Sequence, residues 1–460
     1  MKKGIPIKIG QLYDVLIEDL SHDGLGIARL DGFLLFIKDS LPGERVVARI
    51  TNIKKKYAHA ENLELLQQSP HRTKPLCPLF NQCGGCQIQH LDYSSQLEFK
   101  RNIVVRNLQK FAKIENPPVA EVLGIDDPWR YRNKTQVPFG RDVDGQIVAG
   151  FYQNRSHEIV DMPECLVQTD DADAIVTFVK KFATKHQIEP YNESLQTGVL
   201  RHVVTRKGFN SGEIMVILVT KTDELPMQNL LVRQLVDEFP AVKSVVHNVN
   251  PANTNVIFGD QTTTIYGANY ITDSLDGLDF LISARSFYQV NPVQTEVLYK
   301  TALEFANIGP DDIVFDAYCG IGTITLFLAR AALQVYGVEI VPDAINDAKQ
   351  NAKLNNLENA HFAVGKAEVV IPQWIADGII PDVIVVDPPR KGCDLILLET
   401  IIVAKPKRVV YVSCDSATLA RDIEILAEGG YKLEKVQPVD MFPQTGHVET
   451  VALLTRVESR

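Results

Sequence analysis

Ile313-Val-Phe-Asp-Ala-Tyr-Cys-Gly-Ile-Gly-Thr323 decides the fold of the C-terminal part of this 460-residue chain. An apolar run ends on an acid, turns through two glycines and enters an apolar segment at Ile324, which predicts a strand, a tight turn and a helix. Glycines let a backbone approach a ligand closely, and the spacing here departs from the GxGxxG dinucleotide fingerprint. Outward from this turn, Val335-Tyr-Gly-Val-Glu339 reads as a second strand ending on an acid. Pro342 then starts a helix with Ile345, Ala348 and Ala352 on one face. Strands are expected near 313–317, 335–339, 382–387 and 408–413, alternating with helices from about residue 284, which predicts a parallel α/β sheet. Ligands of such sheets sit beyond the C-terminal ends of the strands. Glu339 is there either an acceptor for ribose hydroxyls or a surface acid at a strand end.

Two more strand ends carry chemistry. Pro381-Asp-Val-Ile-Val-Val-Asp-Pro-Pro-Arg390 leaves a buried strand into two prolines, which restrict the backbone just after Asp387 and present it rigidly. Arg408-Val-Val-Tyr-Val-Ser-Cys-Asp415 places Cys414 at the end of the next strand, ahead of a helix whose N-terminus favours a thiolate. Cys414 is a candidate nucleophile; the alternative is a buried small hydrophobe. Asp440-Met-Phe-Pro-Gln-Thr-Gly-His-Val-Glu-Thr450 offers Glu449, at the head of the apolar strand Val451–Leu454, as a proton acceptor, with His447 as a second candidate.

Upstream, residues 8–66 read as short strands at Tyr13–Ile17, Gly32–Ile37 and Arg45–Ile53, punctuated by Asp23-Gly24, Asp31-Gly32 and Pro42-Gly43, for which a small β-barrel is the economical solution. Residues 67–283 mix strand and helix signals, with helical character from Leu91 to Phe111. The net charge of −10 disfavours a polyanionic partner, but residues 1–135 carry 20 Lys and Arg against 15 Asp and Glu, so the N-terminal end is a candidate RNA face, or carries scattered solvated charge. Lys54-Lys-Lys-Tyr-Ala-His59 would supply phosphate contacts beside an aromatic platform, or is a solvated strand end. Arg130-Tyr-Arg-Asn-Lys134 and Arg201-His-Val-Val-Thr-Arg-Lys207 suit a groove for a splayed strand, or edge strands with protective charges.

No apolar stretch approaches the roughly 18 residues of a membrane span, and the N-terminus lacks a signal peptide's apolar core, so a cytoplasmic location is expected. Seven cysteines, three within ten residues, are too few and too clustered for a secreted disulfide framework. Cys77, Cys83 and Cys86, with Cys165 as a distant fourth, suit zinc or an iron–sulfur cluster. The spacing is not that of a zinc ribbon, and the glycines between Cys83 and Cys86 leave room for a bulky group.

Several of these stretches resemble known families. His22-Asp-Gly-Leu-Gly-Ile-Ala-Arg29 and Leu41-Pro-Gly-Glu44 resemble a TRAM domain, an oligonucleotide-binding-like (OB-like) barrel. The glycine loop, Glu339 and Asp387 together resemble class I S-adenosylmethionine methyltransferases. Tyr-Val-Ser-Cys414, Thr418-Leu-Ala-Arg-Asp422, Phe442-Pro-Gln-Thr-Gly-His-Val-Glu449, Asp387-Pro-Pro-Arg390 and Phe287-Tyr-Gln-Val-Asn291 resemble the RNA 5-methyluridine (uracil-C5) methyltransferase family essentially end to end, closest to its TRAM-domain, iron–sulfur-containing 23S rRNA members.

The resemblance implies an α/β class I (Rossmann-like) methyltransferase domain over 284–460, an N-terminal TRAM/OB-like β-barrel over 1–66 and a central α+β iron–sulfur domain over 67–283. It implies Cys414 as nucleophile and Glu449 as proton acceptor, with Gln289, Tyr318, Glu339 and Asp387 at S-adenosyl-L-methionine, and it lets Phe287 stack on a nucleobase. It also implies a [4Fe–4S] cluster on Cys77, Cys83, Cys86 and Cys165, with zinc as the alternative. The expected activity is methylation of uridine C5 in 23S rRNA through a covalent adduct; tRNA uracil-54 methylation and a non-catalytic RNA-binding or assembly factor are the competing readings. RNA is the expected partner, with no membrane and no protein partner predicted. The family usually has Asn-Pro after the nucleophile. Here Asp415-Ser416 follows, which leaves the backbone freer, lets the Ser416 hydroxyl cap the helix, and sets a negative charge beside the thiol.

Overall fold

The computed structural model describes residues 7–457 apart from Arg155. The alternating N-terminal segment forms β1 (Leu12–Leu16), β2 (Asp19–Leu20), β3 (Gly26–Leu30), β4 (Phe33–Lys38), β5 (Arg45–Ile53) and β6 (Tyr57–Gln67). They pair in the order β1-β5-β6-β4-β3-β2 around Val15, Ile17, Leu35, Ile37, Val46 and Ile50. The tract Lys54–His59 is thus the β5–β6 turn and the start of β6, with its three lysines exposed.

Helix α1 (Tyr93–Phe111) is capped by Asp92, which accepts from the Ser95 amide. Its Val104 and Leu108 are fully buried against Leu419 and Ile423 of the C-terminal part, so this helix, read from sequence with the middle segment, packs on the far unit. A second sheet contains β7 (Lys134–Arg141), β8 (Ile147–Ala149), β9 (Leu200–Lys207), β10 (Ile214–Thr220), β11 (Val242–Val249) and β12 (Gln261–Gly267), in the order β12-β11-β10-β9-β7-β8. Apolar faces of α2 (Asp170–Lys185) and α3 (Gln228–Glu238) cover it. The β13 (Tyr270–Leu275) and β14 (Leu278–Ser283) hairpin links this unit to the last.

After α4 (Pro292–Ala306) come β15 (Ile313–Ala317), α5 (Thr323–Ala329), β16 (Gln334–Glu339), α6 (Pro342–Leu354), β17 (Ala360–Val364), α7 (Ala367–Ala376), β18 (Val383–Val386), α8 (Leu395–Ala404), β19 (Arg408–Ser413), α9 (Ser416–Glu428), β20 (Tyr431–Val439) and β21 (Glu449–Arg456). The sheet order is β17-β16-β15-β18-β19-β21-β20. All four expected strands are present. The first five strands are parallel, and every residue of β18 is buried, as expected of a strand covered on both faces. The sheet is not wholly parallel as expected: β21 runs antiparallel to both β19 and β20. Strand β17 was not read from sequence because Ala360–Val364 is a partly exposed edge without a buried apolar run. Among the described residues no helix is long and apolar enough to cross a membrane.

Candidate active site and thiol cavity

The antiparallel end of the sheet builds the centre. The last rung of β19 and β21 pairs Ser413 with Thr450, so Cys414, just past the end of β19, and Glu449, the first residue of β21, follow this rung at the same end of the sheet. Burial pushes the Cys414 thiol up to about 11, and the Glu449 and Asp387 carboxylates add to this, while Arg390 opposes it. Burial also pushes Glu449 up to about 8, again with Asp387 adding and Arg390 opposing, and raises Asp387 to about 7. Glu449 is only 3% exposed, so its carboxyl is held away from solvent. His447 is exposed, and its neighbour Gly446 lies so close to the barrel that a Cβ there would meet the His22 carbonyl oxygen at 2.0 Å.

Cys414 and Arg390 line a cavity of about 730 Å³ together with His22 of the barrel, Arg106 and Asn107 of α1, and His447. All three units therefore meet at the thiol. Asp415, not Ser416, caps α9: its carboxylate accepts from the amides of Ala417 at 2.9 Å and Thr418 at 3.1 Å. Its charge is thus turned into the helix N-terminus, where a negative group is favoured. Ser416 is the first helical residue, and Asn107 Nδ2 donates to its Oγ at 2.7 Å. Asn107, Arg390 and His22 are not legible as neighbours of Cys414, because all three are distant from it in the chain.

The glycine loop follows β15. Tyr318, Gly320 and Gly322 adopt positive φ of 68°, 57° and 83°, and a Cβ on Gly322 would crowd Phe362 at 3.2 Å. Asp316 is buried and accepts from Thr325 Oγ1 at 2.5 Å, tying the strand end to α5. Glu339 Oε1 accepts from the Val341 amide at 3.0 Å, and Glu339 lines a cavity of about 670 Å³ with Gly320, Ser286 and Phe287. Phe287 is 60% exposed, with Lys134 Nζ 6.0 Å from its ring centre. Gln289 is buried; the Asn133 side chain donates to its backbone carbonyl at 3.0 Å. Gln289, Tyr318 and Asp387 do not line the Glu339 cavity.

Cys77, Cys83, Cys86 and Cys165 are brought together around one cavity of about 500 Å³, with Gln89 and Arg132 also on its wall. Burial raises Cys86 to about 12 and Cys165 to about 11, and the other three thiols add to the rise at Cys86. Thiols held this way need a cation before they deprotonate together. Among the described residues, however, no three His, Cys, Asp or Glu side chains close into a metal-binding group. By chemistry alone, four thiols around one cavity are the donor type of a thiolate-bound metal.

Comparison with known proteins fixes the family. Residues 6–63 match the TRAM domain and residues 308–432 a methyltransferase domain. An RNA methyltransferase of Halalkalibacterium halodurans is 54% identical over 98% of this chain and 99% of its own, and one of Bacillus cereus is 53% identical over 98% of each. The Pyrococcus abyssi tRNA (uracil-54, C5)-methyltransferase, solved with S-adenosyl-L-homocysteine, is 30% identical, covering 96% of this chain and 100% of its own, with a TM-score of 0.79. The chain belongs to the RNA uracil-C5 methyltransferase family. It is accordingly an S-adenosylmethionine-dependent RNA methyltransferase with a Rossmann-like methyltransferase fold and an N-terminal TRAM domain.

Proposed function

We propose that this methyltransferase transfers the methyl group of S-adenosyl-L-methionine to C5 of a uridine in 23S rRNA through a covalent Cys414 adduct. The observation that carries the reading is that Cys414 and Glu449 flank the last rung of β19 and β21, close enough to Asp387 for its charge to act on both. Uracil C5 is a poor nucleophile. Addition of the Cys414 thiolate to C6 forms an S–C6 bond and moves the C5=C6 electron pair into an enolate over C5, C4 and O4. That enolate takes the methyl group, and S-adenosylhomocysteine leaves. Glu449 as carboxylate then accepts the C5 proton; the C5–H electrons restore C5=C6 as the S–C6 bond breaks and returns the thiolate. A Glu held near 8 is matched to giving and taking a proton close to neutrality.

In this reading Gln289, Tyr318, Glu339 and Asp387 hold the methyl donor, with Glu339 at its ribose, and Phe287 stacks on a base. Residues 1–66 and 67–283 grip RNA while 284–460 carries the chemistry, and the target base leaves its stack to reach the cavity at Cys414. Cys77, Cys83, Cys86 and Cys165 would hold a [4Fe–4S] cluster, with zinc as the alternative; the shared cavity supports this set. Such a group would supply a cationic cross-link between the Cys77–Cys86 loop and Cys165. A cytoplasmic location belongs to the same reading.

The likeness to a tRNA uracil-54 enzyme favours a second reading, tRNA as substrate. Maps of 5-methyluridine in total RNA from cells with and without the protein test both. Loss confined to 23S rRNA supports the proposal, loss confined to tRNA supports the second reading, and no loss in either refutes both.

A further inference from the structure

The loop that carries Cys414 is held from outside its own unit. Val104 and Leu108 of α1 are fully buried against Leu419 and Ile423 of α9, which fixes the backbone of Asn107 between them. From there Asn107 Nδ2 donates to Ser416 Oγ at 2.7 Å, and Ser416 is 5% exposed, two residues past Cys414. The preceding residue of α1, Arg106, pairs with Asp19 of the barrel. Consecutive residues of one helix thus hold the barrel and the nucleophile loop on the wall of the same cavity. We infer that Asn107, through its hydrogen bond to Ser416, is a positioning residue that sets the Cys414 loop for attack. The inference rests on Cys414 as the nucleophile.

A second piece of local geometry supplies the control. Ser416 is the first residue of α9, and the cap uses the amides of Ala417 and Thr418. A proline is tolerated at that position because a first-turn amide makes no intrahelical bond, and its ring would fix the backbone without help from Asn107. Asp415, at φ −137° and ψ 104°, is already extended, as suits a residue before proline. Ser416→Pro therefore replaces an inter-unit hydrogen bond with a covalent restraint.

The test uses the full-length enzyme with total rRNA and tRNA containing 5-fluorouridine. In single turnover at saturating RNA, Asn107→Ala and Ser416→Ala should each slow Cys414 adduct formation by about three- to tenfold, the loss of one hydrogen bond, and leave the half-saturating RNA concentration within about twofold. The double variant should be no slower than either single one. In the Ser416→Pro background, Asn107→Ala should change nothing. Hydrogen exchange of the Ala417 and Thr418 amides, read without RNA, should quicken in both alanine variants and return to its wild-type rate in the proline pair. Multiplying effects, a change confined to RNA affinity, or failure of proline to remove the Asn107 dependence would overturn the inference. If wild-type enzyme forms no adduct while the exchange pattern holds, the nucleophile assignment fails and the loop restraint stands.

Discussion

Lys100 and Asp440 form an ion pair with both side chains fully buried, joining α1 to the segment that runs toward Glu449. Tyr93 also donates to Asp440 at 2.9 Å, and Lys100 donates to the Phe442 carbonyl at 3.0 Å. Lys100→Met leaves the Asp440 charge buried with one neutral donor, and breaking a buried pair from one side costs about 3–5 kcal/mol. Lys100→Met with Asp440→Asn removes both charges and keeps an acceptor for Tyr93, so the double variant should recover most of that loss, giving a coupling of about 2 kcal/mol or more. For a cooperative unit of 150–250 residues, about 2–4 °C accompanies each kcal/mol, so the single variant should melt at least about 6 °C lower. Calorimetry of the four proteins at one pH measures this. A single variant within about 2 °C of wild type, or single effects that simply add, would refute the reasoning.

Glu449→Gln should accumulate the RNA adduct, because addition is preserved and proton removal is lost; continued turnover without adduct would pass the role of base to another group such as His447. In the free enzyme the Cys414 thiol, held up to about 11, should show alkylation by iodoacetamide that climbs about tenfold per pH unit from 7 to 10 without a plateau. The Glu449 charge, present above about 8, raises the thiol, so Glu449→Gln should speed alkylation at pH 9; no change would separate the two groups. Anaerobically purified protein should carry iron and sulfide, and replacing Cys86 and Cys165 together by Ala should abolish both. Zinc without iron would replace the cluster assignment, and retention of metal would move the site elsewhere.

Much of the methyltransferase unit is readable because its signals are local. The glycine turn after Ile313–Ala317, the acid ending Gln334–Glu339 and the buried run Val383–Val386 each declare themselves within ten residues. Cys414 and Glu449 are legible as strand-end residues, but their meeting at one end of the sheet depends on β21 running antiparallel to β19, which an alternating α/β pattern does not reveal. The helix around α1 is legible; its partner is not. Lys100 is buried against a carboxylate 340 residues away, a partner that no local pattern marks. Asn107 likewise reaches Ser416 over 309 residues. The capping of α9 turned on one side chain: Asp415 and Ser416 both make good N-caps, and the helix begins at Ser416, which assigns the cap to Asp415.

Methyl transfer by this route turns on the bond between Cys414 and uracil C6. Intact mass and peptide mapping of the enzyme incubated with S-adenosylmethionine and 5-fluorouridine-containing RNA measures it most directly. The expected product is a nuclease-resistant nucleotide adduct on the peptide containing Cys414, carrying one added methyl group and absent from Cys414→Ala. Methylated RNA formed by Cys414→Ala, or an adduct mapping to another cysteine, would contradict it.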